Sequence, residues 1–431
     1  MRHSLLIRVT HWINTLAFFA LIVSGAAILI AHPRFYWGET GAFGSPALIE
    51  LPLPLNLDQS GWGRSLHFLA AWICLLNGTV YVLSGLVRRH FTAAMPATYD
   101  TSQRLAYVGV VFVALPIMIV SGLAMSPAVT AALPITVRIF GGYQSARMVH
   151  FIGTGVLLLF VTGHLAMIYL AGFRNRVREM ILAGVAGSPS RRRFIIGASA
   201  AGAAALLFRR YGLVPPDHSG VLGVGHTITY TGQRLLLRRQ PLAREFRRDQ
   251  ISTNFPAINT TLPEDNAYRR DMIRGFSEWR LTVGGLVARP SEISLAQLRS
   301  FPSRTQITQH VCEQGWSAIA EWTGVPLSVV LNAVGVLPQA RYVFFNCVDG
   351  WWDSLDMADA WHPQTLLAYG MNGGDLSVAH GAPVRLRVER QIGYKNLKYL
   401  SSITITDTAE DWGKGKGSQG AENGYCWYAG I

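Results

Sequence analysis

The chain has 431 residues, of which 50% are apolar and 15% charged, with a mean hydropathy of +0.25. Soluble chains carry about 25% charged residues, so this composition excludes an ordinary cytoplasmic globule. The net charge of +13 does not point to nucleic acid, because its distribution is lopsided: residues 1–211 hold 17 Arg, no Lys and 5 acids, whereas residues 212–431 hold 21 basic and 20 acidic residues. The excess lies in the apolar half, as loops obeying the positive-inside rule require. Cys74, Cys312, Cys347 and Cys426 form no C-x-x-C pair, which argues against an iron–sulfur cluster, a zinc ribbon or a dense disulfide framework.

Five apolar runs follow in chain order, roughly Ile13–Ala31, Leu66–Val87, Leu105–Ala124, Met148–Ala171 and Phe194–Phe208. The first four are about 20 residues long, enough to cross ~30 Å of hydrocarbon. They are continuous rather than alternating, which favours helices over barrel strands. Pro116 is tolerable in the third run, since membrane helices often carry a kink. The fifth run is short and rich in Ala and Gly. Arg2, Arg8, Arg88, Arg89, Arg104, Arg174, Arg176, Arg178 and Arg191–Arg193 fall on one side of the bilayer. On the other side, the four-helix part has only Arg34, Arg64, Arg138 and Arg147. This places the N-terminus in the cytoplasm and, after a fifth crossing, residues 212–431 outside it, in a bacterial inner membrane. Ser190-Arg191-Arg192-Arg193-Phe194-Ile195 looks like a twin-arginine export signal, which serves proteins that fold around a cofactor before crossing.

Histidines mark four helix positions. His11 opens the first run, His67 the second and His150 the fourth, and His164 lies near the end of the fourth. An ionisable side chain inside a membrane segment points to function. With alternating helix directions, His11 and His164 lie near the cytoplasmic face, and His67 and His150 near the outer face. The 14 residues from His150 to His164 span about 21 Å and return to nearly the same helix face. Two stacked bis-histidine haems need such an arrangement, and two imidazoles per iron leave no open site, which suits electron transfer. A proton relay would instead call for carboxylates, and the five runs contain none. Residues 1–180, with Arg8-Val9-Thr10-His11-Trp12, Leu66-His67-Phe68 and the His150/His164 pair, resemble the di-haem cytochrome b subunits of formate dehydrogenases and nickel–iron hydrogenases. The resemblance implies two b haems, the outer on His67/His150 and the inner on His11/His164, exchanging electrons with a membrane quinone.

Residues 212–252, with Pro215-Pro216 and an Arg-rich patch from Arg238 to Arg248, read as a connector with a solvated or headgroup-facing basic face. Beyond it the composition is that of a soluble α+β domain with no apparent internal repeat. Strand-like runs lie at Trp279–Val283, Tyr342–Phe345, Val384–Val388 and Ser402–Ile405. There is no P-loop and no strand-preceded G-x-G-x-x-G, so a nucleotide cofactor is unsupported. The ending Gly424–Ile431 is too apolar for a free tail and is expected to dock, with Cys426 structural. The expected fold class is an all-α transmembrane four-helix bundle plus a fifth anchor helix, followed by a soluble α+β domain. The expected boundaries are 1–187, 188–211, 212–252 and 253–431.

The stretch from Thr305 to Ile319 contains Gln309-His310-Val311-Cys312-Glu313-Gln314-Gly315-Trp316-Ser317. A thiolate is a soft metal ligand, although spacing alone favours a buried structural Cys. The segment resembles the molybdenum-ligand region of the sulfite oxidase family, especially its methionine-sulfoxide-reducing branch. His362–Leu367, His380-Gly381-Ala382-Pro383-Val384-Arg385 and Gly393-Tyr394-Lys395-Asn396-Leu397-Lys398 match the downstream signature of that family, so the resemblance covers about 250–431. It implies Mo-molybdopterin with Cys312 as the metal ligand. It further implies Cys347, His380, Arg385, Gly393, Lys395, Asn396, Leu397 and Lys398 at the pterin, and Thr253 and Asn254 beside the metal. Sulfite oxidases carry paired Arg four and five residues after the ligand Cys. Here Trp316 and Ser317 stand there, as in the methionine-sulfoxide branch. That branch has Glu two residues after the Cys, where this chain has Gln314, with Glu313 one place earlier. The whole therefore reads as a membrane-anchored molybdenum oxidoreductase fused to its di-haem electron carrier and reducing an S- or N-oxide. The alternatives are oxidation of a small substrate such as the oxyanion sulfite, or a non-catalytic electron conduit.

Overall fold

The computed structural model describes residues 5–53, 61–87, 106, 108–182 and 212–430. The expected anchor helix and twin-arginine motif at 188–211 lie outside the described residues.

Helix α1 (Leu5–Ala31) packs on α2 (Gly61–Val87). The third apolar run enters α3 (Leu115–Ala124) through a π-helical turn, Val110–Ala114. The cause is Pro116, which has no N–H and crowds the carbonyl four residues back. Widening the preceding turn relieves this, and the Leu115 N–H accordingly bonds five residues back, to Val110 O. α3 packs against α4 (Tyr143–Leu170). α1, α2 and α4 are long and apolar enough to cross a membrane, and Val110–Ala124 is a shorter apolar helix. Leu16, Val80, Leu159 and Leu170 are exposed along these helices, as side chains facing lipid would be. At one end, α5 (Phe173–Leu182) folds back beneath α1, with Trp12 Nε1 donating to Met180 O (3.4 Å). At the other end, a small hairpin, β1 (Arg34–Phe35) and β2 (Ile49–Glu50), joins α1 to α2.

The expected connector contains a packed helix, α6 (Gly220–Leu236). Gly225 lets it lie close to α2, since a Cβ there would stand 3.1 Å from Leu69. Trp72 Nε1 donates to Thr229 Oγ1 (2.8 Å). Arg234 is buried against Asp356 (3.0 Å) and Asp359 of the following domain. The basic patch beyond α6 is partly solvated as expected: Arg238, Arg239 and Arg247 are exposed.

Two five-stranded sheets follow. The strands are β3 (Arg280–Gly285), β4 (Ser291–Ser294), β5 (Arg304–Val311), β6 (Ser317–Pro326), β7 (Tyr342–Cys347), β8 (Trp352–Asp356), β9 (Leu366–Met371), β10 (Gly374–Asp375), β11 (Arg385–Arg387) and β12 (Leu400–Thr406). One sheet runs β10-β9-β6-β5 with β11 paired to β9, and the other runs β4-β3-β12-β7-β8. The expected strands fall on β3, β7, β11 and β12. The sequence reading missed β6 because it is buried on nearly every residue and so shows no alternation. The core between the sheets includes Leu281, Val283, Phe345, Val384, Leu386 and Ile403. α7 (Leu327–Val334), which buries Leu327, Val330, Leu331 and Val334 in it, ends at Gly335 with φ +69°, a left-handed cap that favours glycine. The C-terminal segment docks on both halves: Ile392 N donates to Ala429 O (2.8 Å), and Ala128 N donates to Gly430 O (3.2 Å).

Candidate functional site

Two of the four expected histidines meet. His67 on α2 and His150 on α4 stand with ring centroids 6.3 Å apart. Ser24 Oγ lies 3.1 Å from His67 Nδ1, and Ser121 Oγ lies 3.0 Å from His150 Nδ1. Both Nδ1 atoms are therefore engaged, which leaves both Nε2 atoms for a ligand. With metal–nitrogen bonds of about 2 Å, two imidazoles bridged by one ion stand about 6 Å apart centre to centre. The pair thus fits a bis-histidine haem iron. At the other end, His11 sits edge-on to Trp12 (5.5 Å) and His164 stacks on Phe160 (5.9 Å).

Cys312 occupies the tip of the β5–β6 hairpin. Cys312 N donates to Trp316 O (2.9 Å) and Gly315 N donates to Cys312 O (3.0 Å), closing a turn whose Gly315 has φ +81°. The thiol is buried. Gln314 N–H points at its sulfur (3.4 Å), and Glu313 Oε2 is 3.5 Å away. Burial, then the Glu313 charge, pushes the free thiol well above its ordinary value, so a thiolate here needs a cation. Gly393 packs beneath: a Cβ there would stand 2.7 Å from Glu313 Oε2 and 3.3 Å from Cys312 Cα. Phe255 lies among His310, Trp316, Trp322 and His380, with ring centroids 5.5–5.8 Å apart. Asn254 Nδ2 donates to Phe43 O on the loop between β1 and β2, while Thr253 is exposed.

Positive charge gathers beside this turn. Arg385 is buried and reaches His380 O (3.0 Å) and Asn396 O (2.9 Å). Its Nε is buried without a partner, and no carboxylate pairs with it among the described residues. Burial, with Arg387 next to it, pulls its guanidinium down to about 9. Arg387 pairs with Glu389 (2.7 Å) and donates to His310 Nδ1 (2.7 Å). Lys398 Nζ donates to Ile258 O (2.8 Å), Thr260 O and Ala379 O (3.2 Å), and burial together with Arg385 lowers it to about 8. His380 donates from Nε2 to Phe255 O (3.2 Å) and accepts from Ser377 Oγ at Nδ1 (2.8 Å). An uncompensated buried guanidinium with an orphaned N–H fits a bound anion, such as the phosphate of molybdopterin.

The remaining expected residues face elsewhere. Lys395 is buried against Asp353 and Ser354 O (2.9 Å), so its ammonium serves an internal ion pair. Cys347 lies in the core between the sheets, and Leu397 is buried there too. Asn396 Oδ1 accepts from Val388 N (2.8 Å) and fixes the turn that follows Gly393. Sequence reasoning missed Ser24 and Ser121, although Ile22-Val23-Ser24-Gly25 recurs as Ile119-Val120-Ser121-Gly122. It also missed Gln144, whose buried Nε2 donates to Gly315 O (3.1 Å) and Ser317 Oγ (2.9 Å). A contact between distant segments leaves no local trace in the sequence.

Residues 2–182 match the family model described as prokaryotic cytochrome b561, and residues 270–412 match the oxidoreductase molybdopterin binding domain. A putative protein-methionine-sulfoxide reductase subunit YedZ1 of Azospira oryzae is 36% identical over 186 residues, covering 42% of this chain and 69% of that protein. An uncharacterized oxidoreductase YuiH of Bacillus subtilis is 32% identical over 157 residues, covering 36% of this chain and 76% of that protein. The protein-methionine-sulfoxide reductase catalytic subunit MsrP of Xanthomonas axonopodis pv. citri is 33% identical over 147 residues, covering 30% of this chain and less than half, 46%, of that protein. A cytochrome b half with membrane-length helices is thus joined to a molybdopterin half, and the chain belongs to the family of membrane-bound cytochrome b561–molybdopterin oxidoreductases.

Proposed function

We propose that the chain reduces an S- or N-oxide outside the cytoplasm with electrons drawn from membrane quinol. One observation carries this reading: the Cys312 turn is seated on the end of α4 that bears His150. Gln144 holds the turn at Gly315 and Ser317, and a Cβ on Gly315 would touch Arg147, three residues before His150. The two cofactor sites therefore adjoin within one chain and need no soluble carrier. The Arg-rich helix α5 and Arg8 lie at the opposite end of the helices, which supports a cytoplasmic N-terminus and an extracytoplasmic molybdopterin domain. On this topology two b haems are expected, with quinone bound near the inner pair, His11 and His164.

When bound, the molybdenum centre supplies two-electron oxygen-atom transfer and the b haems supply one-electron carriage. Cys312 would hold the metal, with Phe255 packed against the Cys312 cluster and Asn254 next to Phe255 in the chain. Arg385, Lys398 and His380 would hold the anionic end of the pterin. Gly393, Lys395 and Asn396 shape the turn that brings backbone close, over Leu397 and Cys347. Trp316 is buried, and Ser317 Oγ is committed to Glu39 O (2.9 Å) and Gln144. Neither offers a cation to an oxyanion, which favours a neutral oxide over sulfite.

The test is to reduce the purified protein with dithionite, add methionine sulfoxide or trimethylamine N-oxide, and follow the haem bands. Reoxidation by an oxide is expected. Haem reduction by sulfite, with no response to any oxide, would reverse the direction.

A further inference from the structure

The membrane half uses one arrangement twice. Ile-Val-Ser-Gly occurs at residues 22–25 on α1 and 119–122 on α3, and Arg-x-x-His-Phe occurs at 64–68 on α2 and 147–151 on α4. Each Ser meets the His of its partner helix: Ser24 meets His67 at 3.1 Å and Ser121 meets His150 at 3.0 Å.

A hydroxyl has one proton to give. Ser24 gives its proton to its own helix, with Ala20 O at 2.6 Å, and Ser121 gives its proton to Met118 O at 3.1 Å. With the hydroxyl protons assigned to these carbonyls, which can only accept, both oxygens accept from the imidazoles. Both Nδ1 atoms then carry the proton, and both Nε2 atoms present a bare lone pair. The following glycines, Gly25 and Gly122, keep the space beside each ring open: a Cβ would already touch Cε1 of His67 at 3.7 Å and of His150 at 3.5 Å. A longer side chain would crowd that edge of each imidazole.

We propose that Ser24 and Ser121 are a matched pair of positioning residues for the haem held by His67 and His150, fixing both ligand tautomers and lowering the potential of that haem. The proposal rests on the bis-histidine reading of this pair. An oxygen that accepts the Nδ1 proton makes the imidazole a stronger donor, which stabilises ferric over ferrous iron. The haem next to the molybdopterin domain is thereby kept a good electron donor to it.

The test uses the full-length protein with Ser24→Ala, Ser121→Ala, the double variant, and the hydroxyl-retaining Ser24→Thr and Ser121→Thr. Haem content is measured by pyridine haemochrome, and each potential by spectroscopic redox titration. The expected result is an upward shift of one haem potential in each Ala variant, larger in the double, with any other haem unmoved and the Thr variants like wild type. If the Ala variants lose that haem, the Thr variants are expected to keep it at its wild-type potential. Unshifted potentials at full haem content, equal shifts in all haems, or haem loss in Ala and Thr variants alike would each overturn the proposal. Absence of low-spin b haem from the wild type would instead remove the bis-histidine reading beneath it.

Discussion

Cys312 and Cys347 are both buried thiols raised by their surroundings, yet their settings differ. Cys312 stands on a hairpin tip in a small cluster with Ala42, Trp316 and Ala318, with Glu313 beside it and a backbone N–H aimed at its sulfur, whereas Cys347 sits within the apolar core between the sheets. Cys312→Ser is therefore expected to abolish oxide reduction with haem spectra intact, because a hydroxyl cannot replace a soft thiolate on a high-valent metal. Cys347→Ser should keep activity within about tenfold, the scale of a change one step removed from a metal. Turnover per haem in the two variants decides it, and a dead Cys347 variant beside an active Cys312 variant would reverse the assignment. The cations beside Cys312 predict a pH effect with opposite signs in two assays. Lys398, lowered to about 8 by burial and Arg385 in the cofactor-free site, gives up charge as pH rises beyond that value, so affinity for an anionic pterin should weaken there. The cofactor-free domain should behave oppositely. Unfolded Lys398 stays charged up to its ordinary value of 10.5, so between about 8 and that value the unfolded state binds more protons and stability rises with pH. Pterin fluorescence released on a pH step reads the first effect, and thermal unfolding of the cofactor-free protein reads the second. Retention that does not change from pH 7 to 10 would remove these cations from the anion site.

At the scale of elements, the apolar runs were legible because lipid demands continuous hydrophobicity, and β3, β7, β11 and β12 because strand residues were bounded by turns. Helix α6 was not, because Pro215-Pro216 and the Arg patch mimic a solvated connector. Its identity depends on partners elsewhere in the chain: Leu69 and Trp72 on α2, Asp356 at the end of β8 and Asp359 just after it. Asp359 is buried, which alone would raise its carboxyl, but Arg234 and Arg390 outweigh burial and hold it below the carboxylate range. Arg234→Met removes one cation from two buried carboxylates. An uncompensated buried charge costs about 3–5 kcal/mol, so the unfolding transition of the molybdopterin domain should fall by an amount of that order. The haem bands should persist through it, since His67 and His150 do not touch this network. A change below about 1 kcal/mol would show that Arg390 alone satisfies Asp359.

At the scale of the whole molecule, the sequence points to two candidate cofactor sites but not to their adjacency. The histidines and Cys312 announce themselves by residue type, whereas Gln144 and Ser317 are ordinary residues whose role lies in meeting. Gly41 pairs with Ser317 in a β-bridge, so the loop between β1 and β2 of the membrane half extends the strand that follows Cys312. Gln144, fully buried, supplies two hydrogen bonds from the first turn of α4 to that same turn. Removing a buried hydrogen-bonding partner costs about 1–3 kcal/mol, and here the loss falls on the joint between the two cofactor sites. Gln144→Ala is therefore expected to slow haem reoxidation by an oxide roughly tenfold, the equivalent of about 1.4 kcal/mol. Oxide reduction driven by a small viologen donor that reaches the molybdopterin site directly should be nearly unchanged, because Gln144 touches neither Cys312 nor the cations beside it. Gln144→Glu should slow reoxidation as well, since a carboxylate cannot donate to Gly315 O. Equal loss by both electron routes would mean that the substitution damages the molybdopterin site itself, and equal retention would mean that electrons cross between the halves elsewhere than through this joint.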